Sequence, residues 1–223
     1  MSAIKAIKFM FSSKGIFPAC RRIYTVCRRF SFTPLRQLKY IRRYIEILES
    51  LGAKATFFIP AAVLERYHLH LGALQSHAVE WGIHGYRHID LSIINAEQLK
   101  SQIVNATGIF DKYKIKFHGF RAPYLKNNDK LPGELARTQR FLYDSSKAVF
   151  VGNSFNPGLR NLKWISNFYG PAGFSKETAL PKFKNGLWEV PVILPDDEIL
   201  LDRVRLAAGE ILLRQCLLTV RSG

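Results

Sequence analysis

Helix-like and strand-like segments alternate along most of this chain. Apolar side chains recur at three- and four-residue spacing from Leu38 to Leu51, which predicts an amphipathic helix that Gly52 ends. The segment that follows, Ala55 to Ile59, is a short apolar run before a proline, as expected of a buried strand. Further strands are predicted at 78–84, 117–120 and 187–194, and further helices at 61–67, 95–113, 131–140 and 199–218. Such alternation is typical of a parallel α/β sheet or barrel.

Positive charge is concentrated at the start of the chain. The formal net charge is +16, and residues 1–43 contain eleven Lys and Arg residues but no Asp or Glu. This segment is expected to attract anionic partners, and we predict that it contacts an anionic membrane surface. The alternative is a solvated basic face without a dedicated partner. Nucleic acid is disfavoured, because the sequence contains no zinc-finger, RNA-recognition or helix-turn-helix pattern.

The remaining composition indicates one globular domain in a reducing compartment. Apolar residues make up 48% of the 223 residues and charged residues 22%, which excludes wholesale disorder. The three cysteines are too widely spaced for a disulfide framework. Neither a secretory signal core nor an apolar run of membrane-spanning length is found. We therefore expect a basic leader at 1–32, a domain at 33–223, and a cytoplasmic protein that associates peripherally with a membrane.

The strongest local motif is His84-Gly85-Tyr86-Arg87-His88, directly after a predicted strand. Two imidazoles four residues apart can bind one metal ion if the chain turns sharply at the strand end. Glycine permits such a turn. The alternative is a pair of incidental surface or core histidines, because this spacing alone has low specificity.

Three more polar segments follow predicted strands. Arg121 in Arg-Ala-Pro-Tyr can orient a carboxylate, or can be a surface arginine before a turn. Asp144 in Tyr-Asp-Ser-Ser offers a carboxylate, or begins an Asp-Ser turn. The acidic run Asp196-Asp197-Glu198 can contribute to metal binding or proton transfer, or can be a solvated helix-capping turn.

The order of these motifs resembles that of the polysaccharide deacetylase family of carbohydrate esterases. The similarity extends over about residues 33–200 and rests on four segments in sequence: 53–60, 80–88, 120–124 and 143–146. The resemblance implies a distorted (β/α) barrel of roughly seven units. It also implies hydrolysis of N- or O-acyl groups on sugars with a divalent metal, often zinc.

Roles for individual residues follow from the same resemblance. It implies that His84 and His88 are metal ligands, and that Arg121 lines the groove and orients a catalytic carboxylate. The backbone N–H of Tyr124 would be a candidate donor to the oxyanion. We expect substrate contacts from Tyr86, Tyr124 and Asp144.

Two departures from the family pattern bear on catalysis. The usual Asp-Asp pair should precede the first helix, where residues 28–32 read Arg-Arg-Phe-Ser-Phe. A catalytic histidine is usual on a late strand, but the last histidine here is His118, so the barrel is expected to be incomplete at its C-terminal end. Among Asp90, Asp144, Asp196 and Asp197, we select Asp196 and Asp197 as the catalytic carboxylates, because they follow the late strand.

The sequence therefore predicts a hydrolase that acts on non-peptide carbon–nitrogen bonds. Its substrate would be an acetylated amino sugar or glycan, with lipid-linked and anionic glycans among the candidates. The alternative is a catalytically impaired protein that keeps the deacetylase fold and acts as a binding module. A nucleic-acid-binding protein is the third and least favoured reading.

Overall fold

The computed structural model describes residues 35–126, 128–150 and 180–194, together with Cys20 and Tyr24. Its helices are α1 (Leu35–Ser50), α2 (Ala61–Gly72), α3 (Ala96–Lys112) and α4 (Leu131–Arg137), with 3-10 turns at Leu91–Ile93 and Pro123–Leu125. Its strands are β1 (Ala55–Ile59), β2 (Val79–Ile83), β3 (Gly119–Phe120), β4 (Tyr143–Asp144), β5 (Ala148–Phe150), β6 (Lys182–Lys184), β7 (Leu187–Glu189) and β8 (Val192–Leu194). No helix among these residues is long and apolar enough to cross a membrane.

The described residues fall into two compact units, of which the first contains residues 35–55 and 69–78. Helix α1 buries Ile45 and Leu48, which belong to the apolar face predicted from the sequence. The N–H of Ala53 binds the Leu48 carbonyl at 2.9 Å, and Gly52 adopts a φ of 61°, as is common where a helix ends at glycine. The predicted first helix is therefore confirmed.

The second unit contains residues 56–68 and 79–194 with the gaps given above, and it holds most of the main sheet. The strand order is β1-β2-β3-β4-β7-β6. Strands β2, β3, β4 and β7 are parallel, with Ile83 opposite Phe120, Phe120 opposite Asp144, and Asp144 opposite Glu189. Strand β6 pairs with β7 antiparallel, and β5 and β8 form a separate two-stranded sheet.

A parallel α/β architecture is therefore confirmed, whereas the described strands do not close into the expected barrel. The predicted late strand 187–194 is in fact two strands in different sheets. The interruption falls at Pro191, which has no N–H to donate to a neighbouring strand. Strand β6 lies in a stretch for which no strand was predicted. The predicted helix 199–218 and nearly all of the basic leader lie outside the described residues.

Helix α3 begins with a capping box and buries the face predicted from its spacing. The Asn95 side chain accepts from the Gln98 N–H at 2.9 Å, and the Gln98 side chain accepts from the Asn95 N–H at 3.1 Å. Its buried residues include all four that were predicted: Leu99, Ile103, Ala106 and Phe110. Gln102, which directly precedes the buried Ile103, is thereby positioned by the helix.

The register of the sheet separates an apolar face from a polar one. Ile83 and Phe120 lie opposite each other and are fully buried on one face. Because side chains alternate along a strand, residues one position away occupy the other face. That second face carries Glu80 of β2 and Tyr143 of β4, and the motifs after β2 and β3 begin at its carboxyl edge.

Candidate active site

The segment from His84 to His88 forms a fixed loop at the end of β2. The His84 N–H binds the Ile59 carbonyl at 3.0 Å, which continues the pairing with β1 by one residue. Gly85 then turns the chain with a φ of 76°, a region that residues with a Cβ rarely adopt. The carbonyls of Gly85 and Tyr86 accept from Ala61 and Ala62, whose N–H groups at the start of α2 have no partner within the helix.

Gln102 of α3 holds the same loop from the other side. Its side-chain oxygen accepts from the Tyr86 N–H at 3.1 Å and from the Arg87 N–H at 3.0 Å. Sequence analysis missed this residue, because only the folded chain brings α3 beside the loop. The one sequence signal was a polar side chain next to the buried face of a strongly amphipathic helix.

His84 and His88 lie side by side, as the motif predicted. Their ring centroids are 5.0 Å apart, and the planes are inclined by 59°. The Nδ1 of His84 lies 2.7 Å from the Arg121 carbonyl oxygen. Because a carbonyl can only accept, Nδ1 carries the proton and Nε2 keeps its lone pair. His88 is exposed, and its ring meets that of Tyr124 edge-on at 4.4 Å.

His84 is held in its neutral form. Burial lowers the pKa of His84 to about 4, and the nearby His88 and Arg121 act in the same direction against the hydrogen bond to the Arg121 carbonyl. A neutral imidazole with a free Nε2 is the form that binds a metal ion. At neutral pH His84 needs no deprotonation before it can act as a ligand.

The Arg121-Ala122-Pro123-Tyr124 loop lies next to the two histidines. The Arg121 guanidinium lies 4.4 Å from the Phe58 ring centroid and donates to the Ser145 carbonyl at 3.2 Å and to the Ser145 hydroxyl at 2.8 Å. Among the residues that the structure describes, no carboxylate pairs with Arg121. The described residues therefore show no carboxylate hydrogen-bonded to Arg121 in the way that the resemblance implies.

Tyr124 occupies an unusual backbone conformation in this loop. Its φ is 59°, in the left-handed region, and its side chain is exposed. None of the described residues accepts a hydrogen bond from its N–H. Strained residues of this kind cluster at functional sites. Tyr86, the other predicted substrate contact near the histidines, is half-buried, with the Arg87 guanidinium 5.7 Å from its ring centroid.

Asp144, which we expected to contact substrate, is buried. It is only 5% exposed, and its Oδ1 accepts from both the N–H and the hydroxyl of Ser146. Burial raises the pKa of Asp144 to about 6, outweighing the hydrogen bonds from Ser146. The register explains this position, since Asp144 lies opposite Phe120 on the buried face of the sheet.

A polar cluster that sequence analysis did not select occupies the other face of the sheet. The Glu80 carboxylate accepts from the Thr56 hydroxyl and the Tyr143 hydroxyl, each at 3.0 Å. His118 Nδ1 lies 3.6 Å from the other Glu80 oxygen. Thr56, Glu80, Tyr143 and Arg121 line an open pocket of about 460 Å³, together with Phe58, Ser145 and Val190. The sequence signal for this cluster was Glu80, a charged residue within the predicted buried strand 78–84.

The two histidines fit a divalent metal ion as a partial donor set. His84 has the tautomer and the neutral charge that zinc requires, and His88 is adjacent. Within residues 35–126, 128–150 and 180–194, no group of three or more His, Cys, Asp or Glu side chains is placed to hold a metal. Asp196 and Asp197, the predicted carboxylates, lie outside the described residues. The described residues therefore offer two imidazole ligands and no third side-chain ligand beside them.

Comparison with known sequences supports the resemblance found from the motifs. Residues 36–140 match the polysaccharide deacetylase family. The chain is 32% identical over 113 residues to a peptidoglycan deacetylase-like protein, FGM2, of Gibberella zeae. That alignment covers 48% of this chain and 32% of the relative, so the chain spans about a third of the relative's length.

Comparison with solved structures supports the fold. A putative polysaccharide deacetylase from Mycobacterium smegmatis superimposes with a TM-score of 0.51 at 22% identity, over 68% of this chain and 45% of that one. PuuE allantoinase gives a TM-score of 0.50 at 15% identity, over 77% of this chain and 51% of that one. At these identities the likeness concerns the fold alone.

Proposed function

We propose that this chain, whose residues 36–140 match the polysaccharide deacetylase family, is a divergent member of it and a metal-dependent hydrolase acting on acylated amino sugars. One observation carries the proposal: His84 and His88 lie together beside the Arg121–Tyr124 loop, and the Arg121 carbonyl fixes the Nδ1 proton of His84. This is how metal-ligating histidines are oriented in proteins. Zinc is the metal that suits imidazole ligands of this kind.

Each nearby residue has a distinct task in this proposal. His84 and His88 would hold the metal, which when bound supplies Lewis acidity for hydrolysis of the acyl group. The Tyr124 N–H, which has no acceptor among the described residues, would donate to the acyl oxygen as negative charge develops there. Arg121 would form one wall of the binding groove with Phe58, over which its guanidinium is packed.

The carboxylate that deprotonates the attacking water is assigned to Asp196 or Asp197. The observation behind this is that the described residues place no carboxylate beside His84 and His88. We expect Asp196→Asn and Asp197→Asn each to abolish deacetylation or metal retention with little change in melting temperature. If the two acids only begin a helix, the same variants should bind metal normally and melt slightly earlier.

The substrate is proposed to be a glycan that contains N-acetylated amino sugars. The curated relative is described as peptidoglycan deacetylase-like, which supports this class of substrate for the present chain. A lipid-linked substrate, contact of residues 1–43 with an anionic membrane surface, and a cytoplasmic location stay predictions.

Acetate release tests the proposed reaction. The chain, loaded with zinc after chelator treatment, is expected to release acetate from oligomers of N-acetylglucosamine or from peptidoglycan fragments. Chelator-treated protein and His84→Ala should release none, because the Lewis acid is then missing. Zinc binding without acetate release from any of these glycans would contradict the hydrolase assignment.

A non-catalytic binding module is the second candidate. One observation favours it: the described residues supply no carboxylate to the histidines. The two candidates differ in one outcome. A binding module should retain the glycan in a pull-down, with no acetate released at any zinc concentration.

A further inference from the structure

A single peptide group connects the buried interior with the imidazole of His84. The carbonyl of Arg121 accepts from His84 Nδ1 at 2.7 Å. The N–H of Ala122, which belongs to the same peptide unit, donates to the Ser146 hydroxyl at 2.8 Å. Both ends of this peptide are therefore held by side chains from other strands or loops.

The proton of the Ser146 hydroxyl can be placed from its partners. Because the hydroxyl oxygen accepts from Ala122, its own hydrogen is free to donate, and Asp144 Oδ1 is within hydrogen-bonding distance. The same Oδ1 accepts from the Ser146 N–H at 3.1 Å. Asp144, Ser146 and Ala122 are all almost completely buried, so water does not compete for these bonds.

We propose that Asp144 and Ser146 are positioning residues that fix the tautomer and orientation of His84 through the Arg121–Ala122 peptide. The hydrogen bonds run in one direction, from His84 through the peptide and Ser146 to the Asp144 carboxylate. Bonds arranged in this way polarise one another, so the carboxylate strengthens the Arg121 carbonyl as an acceptor. This proposal rests on the proposed function only in that His84 serves as a metal ligand.

A purely structural role for Asp144 and Ser146 predicts something different. Asp144 would then only stabilise the turn after β4. Removing the Ser146 hydroxyl would lower the stability of the protein and leave the tautomer of His84 unchanged. The positioning role predicts a change in the imidazole itself. The distribution of the proton between Nδ1 and Nε2 of His84 separates the two roles.

Nitrogen NMR of the histidine side chains in metal-free protein at pH 7.5 provides that measurement. In the wild type, His84 should be protonated at Nδ1. Ser146→Ala removes the acceptor of the Ala122 N–H, so the Nε2-protonated form of His84 should rise measurably. Zinc affinity should fall by about 10-fold, the lower end of the range for outer-sphere partners of a ligand.

Ser145→Ala is the matched control. It removes a buried hydroxyl one residue away that binds the Arg121 guanidinium and leaves the Arg121–Ala122 peptide bonded on both sides. Its His84 resonances should match those of the wild type. A folded Ser146→Ala protein with an unchanged His84 tautomer would overturn the proposal.

Asp144→Asn decides the matter if Ser146→Ala does not fold. Asparagine keeps an oxygen that accepts from Ser146 but loses the negative charge, so a small rise in the Nε2-protonated form of His84 over the wild type is expected. A His84 spectrum of Asp144→Asn identical to that of the wild type would overturn the proposal. A wild-type protein that binds no zinc would contradict the proposed function instead, and the NMR result would still decide the role of Asp144 and Ser146.

Discussion

Zinc affinity is expected to fall by more than about 100-fold when His84 and His88 are both replaced with alanine. Loss of an outer-sphere partner alone typically costs up to about that much, and this variant removes both imidazole ligands. Isothermal titration of chelator-treated protein at pH 7.5 measures the change. The protein should remain folded, because His88 is exposed and the His84 side chain makes one hydrogen bond with the described residues.

The control for this variant replaces two histidines of the first unit. His70 and His77 are both exposed, so His70→Ala/His77→Ala removes the same number of imidazoles and should leave zinc affinity unchanged. Equal affinity in wild type and His84→Ala/His88→Ala would show that zinc binds elsewhere.

Acid is expected to destabilise the metal-free protein through His84. The pKa of His84 is lowered from 6.5 to about 4 in the folded state, mainly by burial. Between these values the unfolded chain binds the proton that the folded protein excludes, so the free energy of unfolding decreases as the pH falls from 6.5 to 4. At 1.36 kcal/mol per pKa unit, the loss amounts to about 3 kcal/mol.

Asp144 changes the free energy of unfolding in the opposite direction as the pH falls. Its pKa is raised from 3.8 to about 6 in the folded state, so the folded protein binds the proton more tightly, and this group adds stability as the pH falls from 6 to 3.8. The wild-type profile therefore combines two opposing contributions. Subtracting the profile of His84→Gln isolates the contribution of His84.

Urea unfolding at several pH values gives the required profiles. The stability of wild type relative to His84→Gln should decrease from pH 6.5 to pH 4 and change little on either side. A flat difference across this range would mean that the His84 imidazole titrates near 6.5, and that burial does not keep it neutral.

Local patterns predicted the helices α1 to α4. The buried face of α3 was predictable because apolar residues at helical spacing must share one side of a helix. The proximity of His84 and His88 followed from their spacing after a strand. These features depend on residues close in sequence, and the resemblance to the deacetylase family rests on the same residues.

Features that depend on strand register or on distant parts of the chain could not be predicted. Asp144 was expected to contact substrate, but its register opposite Phe120 places it on the buried face. Gln102 binds the His84–His88 loop only because α3 packs beside that loop. The break at Pro191 assigns β7 and β8 to different sheets, which no periodicity in residues 187–194 indicates.

The central claim is that His84 and His88 share one metal ion. Anomalous diffraction at the zinc edge, from crystals grown with one equivalent of zinc, tests it most directly. We predict a single strong peak about 2.0–2.1 Å from a ring nitrogen of each histidine, with Nδ1 of His84 still bound to the Arg121 carbonyl. A peak on other side chains, with neither imidazole within bonding distance, would contradict the claim.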